Sequence, residues 1–296
     1  MAVQPANNPV AYLNGQYLPL EEARISPMDR GFLFGDGVYE VIPCYNGKLF
    51  RLEQHIQRLI RSLDAIQLPS PHSLSEWCDL LDGLVLRNDS GHQSLYVQVT
   101  RGAPPLRDHR FPTDCPATVF VLSQTLEDPD ARSLDAEAGI RCISTTDIRW
   151  DRCDIKAVSL LANVLLRHEA RLAGCDEAIL VRDGFVMEGS TSNVFIVRQG
   201  AILTPPLGPA ILGGITRDLI IELANRHGLP LQEVAIPVAQ LEQADEVWIS
   251  SSTRGARPVV MLDGKPVGDG RPGALWRRMA EYYAALRREL MGVGHF

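Results

Sequence analysis

The sequence predicts an α+β protein of two domains, and three observations predict it. Strand and turn signals alternate with amphipathic helical patterns along the chain, a polar acidic stretch interrupts them near the middle, and 296 residues is a length at which single cores usually divide. The chain is 45% hydrophobic and 22% charged, which is enough apolar material for a sizeable core. Its formal charge of -7 argues against nucleic-acid and anionic-membrane partners, because both select clustered Lys and Arg, and leaves small molecules as the expected partners. No apolar run approaches the roughly 20 residues of a membrane span. The opening MAVQPANNPVAYLNG lacks the basic and apolar regions of a signal peptide, so the expected location is cytoplasmic. Cys44, Cys78, Cys115, Cys142, Cys153 and Cys175 show neither CxxC pairs nor zinc spacing, and are expected to be free thiols with no metal.

In the first third, VAYLNGQYLPL and VYEVIPCYNGKLF each place Asn-Gly between strand-like segments, the signature of a hairpin. Leu52, Ile56, Leu59, Ile60, Leu63 and Ile66 then fall at helical spacing, and SLSEWCDLLDGLVLRN reads as a second helix. SLYVQVTRG and ATVFVLSQ are further strands. The acidic TLEDPDARSLDAEAG follows, so the expected division is an N-terminal α+β domain at 1–124, a linker at 125–136 and a second domain at 137–296. That second domain opens with the strand IRCISTTDIRW and continues with a helix over about 157–172. Strands in EAILVRDGFVMEG and NVFIVRQGAIL, a helix in GGITRDLIIELANRHG ending at Gly228, and a buried strand in EVWISSS complete it.

Only three lysines occur, and Lys48 and Lys265 sit in Gly-Lys turns. Lys156 instead lies between DRCDI and the apolar AVSLLANVLL, where an amine is partly desolvated; desolvation frees the lone pair that a Schiff-base lysine needs. A snorkelling lysine is the plain alternative. Glu188, between a strand and a Gly-Ser-Thr-Ser turn, is either a surface carboxylate or an inward one able to pair with a protonated heteroaromatic nitrogen. Gly213 and Gly214 precede a helix whose first N–H groups, on Ile215 and Thr216, suit a phosphate dianion, although such pairs also simply close loops. Ser251 and Ser252 add hydroxyls at a strand end, and Arg58 adds a possible fixed cation. Arg107 and His109, two apart in a Pro-rich loop, either grip a carboxylate together or form a solvated basic loop.

Taken in order, DRGFLFGDGVYEV, the helix bearing Arg58, Lys156, EGSTSNVF and GGITRD resemble the class IV aminotransferases, the fold type IV enzymes of pyridoxal 5'-phosphate (PLP). The match spans nearly the whole chain. QVTRG followed by RxHxFP, together with IRWxRCDIK, is similar to the bacterial D-amino acid transaminases in particular. The resemblance implies a smaller N-terminal α/β domain and a larger C-terminal PLP-binding domain with a mixed sheet or barrel. It implies Lys156 as the Schiff-base lysine and proton carrier, Glu188 as partner of the pyridine nitrogen, and Arg58, Ile215, Thr216, Ser251 and Ser252 around the phosphate. It also implies that Tyr39, with Arg107 and His109 of the partner subunit, traps the substrate carboxylate, so that the active site needs a homodimer. The expected reaction is ping-pong transfer, through pyridoxamine phosphate, between a D-amino acid such as D-alanine or D-glutamate and a 2-oxo acid, 2-oxoglutarate or pyruvate. The alternatives are an L-branched-chain amino acid aminotransferase, an aminodeoxychorismate lyase, or a PLP carrier without turnover. One departure stands out: the stretch between TRG and RxH carries one extra residue, with Pro104 and Pro105 in it, which bears on side-chain preference.

Overall fold

Two Asn-Gly pairs set the first unit's hairpins. Asn14 and Gly15 (φ 47° and 97°) join β1 (Val10–Leu13) to β2 (Gln16–Pro19), and Asn46 and Gly47 (φ 49° and 76°) join β3 (Gly37–Tyr45) to β4 (Lys48–Leu49). Positive φ at both turn residues matches the right-handed twist of the paired strands, which is why this dipeptide is selected. The computed structural model describes residues 9–88, 91–131 and 133–292, so residue 132 of the expected linker lies outside the described residues, as do the two ends of the expected domains. With β5 (Gln93–Thr100) and β6 (Thr118–Thr125), the strands form an antiparallel sheet ordered β2-β1-β6-β5-β3-β4.

A short helix, α1 (Arg30–Phe34), precedes β3, and two long helices, α2 (Leu52–Ala65) and α3 (Leu74–Arg87), pack on the sheet. Ile56, Leu59 and Leu63 of α2 and Trp77, Leu81 and Leu84 of α3 meet Val38, Ile42, Leu95, Val97 and Val121 in one core. Ser73 and Glu76 close a capping box that fixes the start of α3.

The second unit is a ten-stranded mixed sheet. Its elements are β7 (Ile140–Thr146), α4 (Leu161–Leu172), β8 (Glu177–Arg182), β9 (Phe185–Gly189), β10 (Asn193–Arg198), β11 (Ala201–Thr204) and α5 (Ile215–Arg226). They continue with β12 (Leu231–Glu233), β13 (Ile236–Pro237), α6 (Val238–Glu242), β14 (Glu246–Ser251), β15 (Gly255–Leu262), β16 (Lys265–Pro266) and α7 (Ala274–Met291). The order is β12-β11-β10-β14-β15-β7-β8-β9-β13, with β16 beside β15. The β11–β12, β15–β7 and β7–β8 pairs are parallel and the others antiparallel. Alternate residues serve two faces: Ile179, Val194, Ile196, Val247 and Ile249 share the main cluster, whereas Ala178 and Leu180 turn to Leu166 and Ala170 of α4.

The units divide at Pro129/Asp130, with one exception: Ile155–Ser159 groups with the first unit. The expected helix over 157–172 begins at Leu161, because residues 156–158 are extended and tied to β3. Tyr39 N–H donates to the Lys156 carbonyl at 2.9 Å, Val158 N–H donates to the Gly37 carbonyl at 3.0 Å, and Ala157 bridges Val38. Lys156 therefore stands beside a strand and five residues before the helix at whose lip the sequence places it. All six cysteines are free thiols. No helix among the described residues is long and apolar enough to cross a membrane.

Trp77 has no exposed surface, and its Nε1–H donates to Ser70 Oγ at 3.2 Å. Trp77→Ala removes that packing and leaves a cavity, so it should lower unfolding free energy by about 3–5 kcal/mol, read as a shifted denaturant midpoint. A shift under about 1 kcal/mol would mean that this core repacks around the gap.

Candidate active site

Along β3, alternation sends Glu40 toward α2 and Tyr39 to the other face of the sheet. Glu40 is wholly buried, and Arg58 forks onto it, with Nε at 2.6 Å from Oε1 and Nη2 at 2.8 Å from Oε2; His55 Nδ1 lies 2.9 Å from Oε2. Burial alone would raise the Glu40 pKa, but the Arg58 guanidinium and the Arg58 and His55 hydrogen bonds outweigh it and hold the carboxyl well below the usual carboxylate range. Burial pushes His55 down, only partly opposed by Glu40, so the imidazole is neutral and donates from Nδ1 to the ionised carboxylate.

The strand-like run 155–159 brings Lys156 to Tyr39. Lys156 is half-buried, its backbone N–H donates to Ser62 Oγ at 3.3 Å, and its Nζ stands 4.2 Å from the centre of the Tyr39 ring. That ring stacks on Tyr96 with centroids 5.6 Å apart, a support that limits where the tyrosine can turn. Burial, with Tyr39 as neighbour, pushes the Tyr96 hydroxyl up to about 12, so it remains protonated at neutral pH.

The DRGFLFGDG run builds the seat of the Arg107 and His109 loop. Asp29 caps α1 by accepting from Gly31 N–H at 2.8 Å and also takes the hydroxyls of Thr100 and Thr118. Arg30 is buried; its Nε donates to Asp36 at 2.8 Å and its Nη groups reach the carbonyls of Asp108, His109 and Arg110 at 2.5–3.4 Å. Asp36 is shared with Arg101, whose Nη groups donate to the carbonyls of Ile66 and Gln67. Burial would raise Asp36, but hydrogen bonds from Arg101 and Arg30 hold its carboxyl below the usual range. Arg107 and His109 are exposed, with the Arg107 guanidinium 4.8 Å and the His109 ring 5.1 Å from the centre of Phe34.

In the second unit, the features expected to matter converge on Glu188, near the end of β9 and buried. Arg149 Nη1 donates to its Oε1. Asn193 Nδ2 and Leu212 N–H each donate to its Oε2 at 3.1 Å. Burial pushes the carboxyl up to about 7 even against Arg149 and the Leu212 hydrogen bond. Asn193 also donates to the Leu212 carbonyl at 2.9 Å and lies so close to Gly214 that a β-carbon there would collide with it. Gly214 is the N-cap of α5 and no side chain among the described residues caps that end, where Ile215 and Thr216 stand buried. Across the β10–β14 ladder Asn193 pairs with Ser250, which leads to Ser251 and Ser252. Ser250 is buried, and among the described residues its hydroxyl has no hydrogen-bond partner.

Thus Glu188 and the start of α5 at Ile215 and Thr216 meet at Asn193 in one unit, where Ser251 and Ser252 follow its ladder partner Ser250, while Lys156, Tyr39, Arg58, Arg107 and His109 belong to the other. The partners absent from the sequence expectations are Glu40, His55, Arg30, Asp36, Arg149, with its own partner Asp147, and Asn193. Charged residues at buried positions of otherwise apolar patterns, such as Glu40 within VYEVI, are the signal that could have found them.

The family model for amino-transferase class IV matches residues 37–262, and the chain belongs to that family. Among curated relatives, the D-alanine aminotransferase of Staphylococcus haemolyticus is 40% identical over 91% of this chain and 95% of its own length. That of Bacillus licheniformis is 40% identical over 90% and 93%. The crystal structure of the Escherichia coli branched-chain amino acid aminotransferase superposes with a TM-score of 0.87 at 26% identity, covering 95% of each chain. The branched-chain enzyme of Thermobaculum terrenum, solved in its PLP form, gives 0.83 at 26% identity, covering 94% of each chain.

Because the Glu188 pKa is raised on folding, the stabilisation from its protonated form is complete below about 4.5 and is lost as pH rises through about 7. The stability of cofactor-free protein, measured relative to Glu188→Gln, should therefore fall by on the order of 3 kcal/mol across that window and level off above it. A difference that stays flat from pH 4.5 to 8 would show that Glu188 is already ionised in that form.

Proposed function

We propose that this protein is a PLP-dependent aminotransferase that exchanges the amino group between a D-amino acid, such as D-alanine or D-glutamate, and a 2-oxo acid, 2-oxoglutarate or pyruvate. One observation carries the reading: the buried Glu188 carboxylate is hydrogen-bonded, through Asn193 and Leu212, to the uncapped start of α5. A carboxylate able to hold a pyridine nitrogen protonated and N–H donors suited to a phosphate dianion are thereby built into one assembly. The residues fit the cofactor: the Ser250 hydroxyl is buried without a partner among the described residues, and Lys156 supplies the amine. The D-alanine aminotransferases at about 40% identity support the stereochemical part.

PLP, when bound, supplies an electron sink for the electrons left when Cα loses its proton. Lys156 would anchor the cofactor through its amine and, when that amine is free, would carry the proton lost from the substrate Cα. Glu188 would keep the ring nitrogen protonated. Ile215 and Thr216 N–H groups, the Ser251 and Ser252 hydroxyls and Arg58 would hold the phosphate, Arg58 being oriented within its own unit by its fork on Glu40. Tyr39, with Arg107 and His109 of the partner subunit, receives the substrate carboxylate, and the loop is aimed by Arg30 through its carbonyls.

The protein acts as a cytoplasmic homodimer. Supporting this, α4 leaves Leu161, Val164 and Leu165 more than half exposed, and Phe32 of α1 and Leu106 of the Arg107 loop are exposed. No nucleic acid or membrane takes part. An L-branched-chain reading is favoured only by the fold of the solved relatives.

The test is 2-oxo acid formation by PLP-loaded protein from D-alanine, L-alanine and L-leucine, each with 2-oxoglutarate. Activity is expected from D-alanine alone, with Lys156→Ala losing about 10²–10⁴-fold or more. Activity on L-leucine instead would move the protein to the branched-chain group, and wild-type rates in Lys156→Ala would remove the mechanism.

A further inference from the structure

The carboxylate that the proposed function relies on is the inner end of a chain of alternating charges. Asp151, at the surface, accepts from Arg182 Nη1 at 2.8 Å. Arg182 Nη2 donates to Asp147 at 3.0 Å and also to the carbonyls of Arg149 and Trp150 at 3.2 Å. Asp147, whose side chain has no exposed surface, takes both edges of Arg149: Nε donates to Oδ1 and Nη2 to Oδ2, each at 2.9 Å. Arg149 backbone N–H donates to Oδ1 at 3.0 Å, and Nη2 also reaches the Ala210 carbonyl at 3.2 Å. The last free edge of the guanidinium, Nη1, goes to Glu188. All these residues lie in one unit.

Such a fork has one orientation. With Nε and Nη2 committed to Asp147, Arg149 cannot swing to meet a mobile carboxylate; Glu188 must come to it, which fixes the carboxylate plane. The charges also act in opposition. Arg149 favours an ionised Glu188, and Asp147 tempers it, so Glu188 is neither left uncompensated nor so strongly paired that it stops accepting a proton. Burial would raise Asp147, but Arg149 and Arg182 hold its carboxyl below the usual range, so the outer link of the chain stays charged. The other groups facing Glu188 are neutral: Asn193 from β10, Leu212 N–H from the loop before α5, and the Cys153 thiol, which burial pushes up and keeps protonated.

We propose that Asp147 and Arg149, seated on Arg182, are positioning residues that set the orientation and charge of Glu188 toward the ring nitrogen of bound PLP. This rests on the cofactor reading above and adds to it residues that do not touch substrate. The two outer charges act with opposite sign. Removing the Asp147 charge makes the surroundings of the ring more positive and expels protons at lower pH; removing the Arg182 charge leaves Asp147 less neutralised and does the opposite.

The experiment is a pH titration of the visible absorbance band of the holoenzyme's Lys156-bound cofactor, in wild type, Asp147→Asn and Arg182→Gln, with the exposed Arg152→Gln as control. The midpoint should fall by about one pH unit in Asp147→Asn, rise by about half a unit in Arg182→Gln, and stay put in the control. Shifts of the same sign in both variants, or none, would overturn the proposal, because loss of support alone has no reason to change sign. If Asp147→Asn does not fold, the Arg182→Gln midpoint decides: a rise supports the proposal, while a fall or no change sinks it. A wild type with no pH-dependent visible band would sink the cofactor reading itself, an outcome distinct from an unmoved variant on a working holoenzyme.

Discussion

A carboxylate removed from water is expensive to keep charged, and the second unit is organised around keeping one. Glu188 accepts from Arg149, Asn193 and the backbone of Leu212, and burial still pushes its pKa up to about 7. Such a group sits at the balance point between its two protonation states, where a nearby cation decides which prevails. Breaking a buried pair by removing one partner costs several times what an exposed pair is worth, so the residues that hold Glu188 are constrained as tightly as Glu188 itself. This explains why Asn193 and Gly214 are packed without room for a side chain between them, and why β10, the loop before α5 and the end of β14 meet at one place.

The first unit solves a different problem with similar means. Lys156 is on a segment distant in sequence from the sheet, and three hydrogen bonds plus a bridge attach that segment to β3 and α2. The same strand carries Tyr39 on one face and Glu40 on the other, so a single backbone fixes both the ring beneath the lysine and the carboxylate that orients Arg58. The loop of Arg107 and His109 is held by hydrogen bonds to its carbonyls: Arg30 takes the backbone, and both side chains stay exposed where they lie beside Phe34. A loop held in this way can change sequence without losing its anchor.

Much of this was legible locally. The Asn-Gly hairpins and the long helices follow from turn chemistry and 3.6-residue spacing, which depend on neighbours in sequence. The start of α4 was not legible, because AVSLLANVLL has helical spacing throughout while the hydrogen bonds of 156–158 go to a strand more than a hundred residues earlier. Helix α7, with Trp276, Met279 and Tyr283 at helical spacing, carries a readable signal although it is not among the expected elements. Among site residues, Lys156 and Glu188 stand out by scarcity and by motif. Glu40, Asp147 and Arg149 do not, since a charged residue declares itself buried only once its partner is known, and Glu40 and Arg58 are 18 residues apart.

Everything proposed for the site depends on Lys156 being the residue that binds the cofactor. The direct measurement is borohydride reduction of PLP-loaded protein followed by peptide mapping. A single modified peptide carrying the cofactor on Lys156 is the predicted result. Cofactor on Lys48 or Lys265, or none retained after reduction, would contradict it.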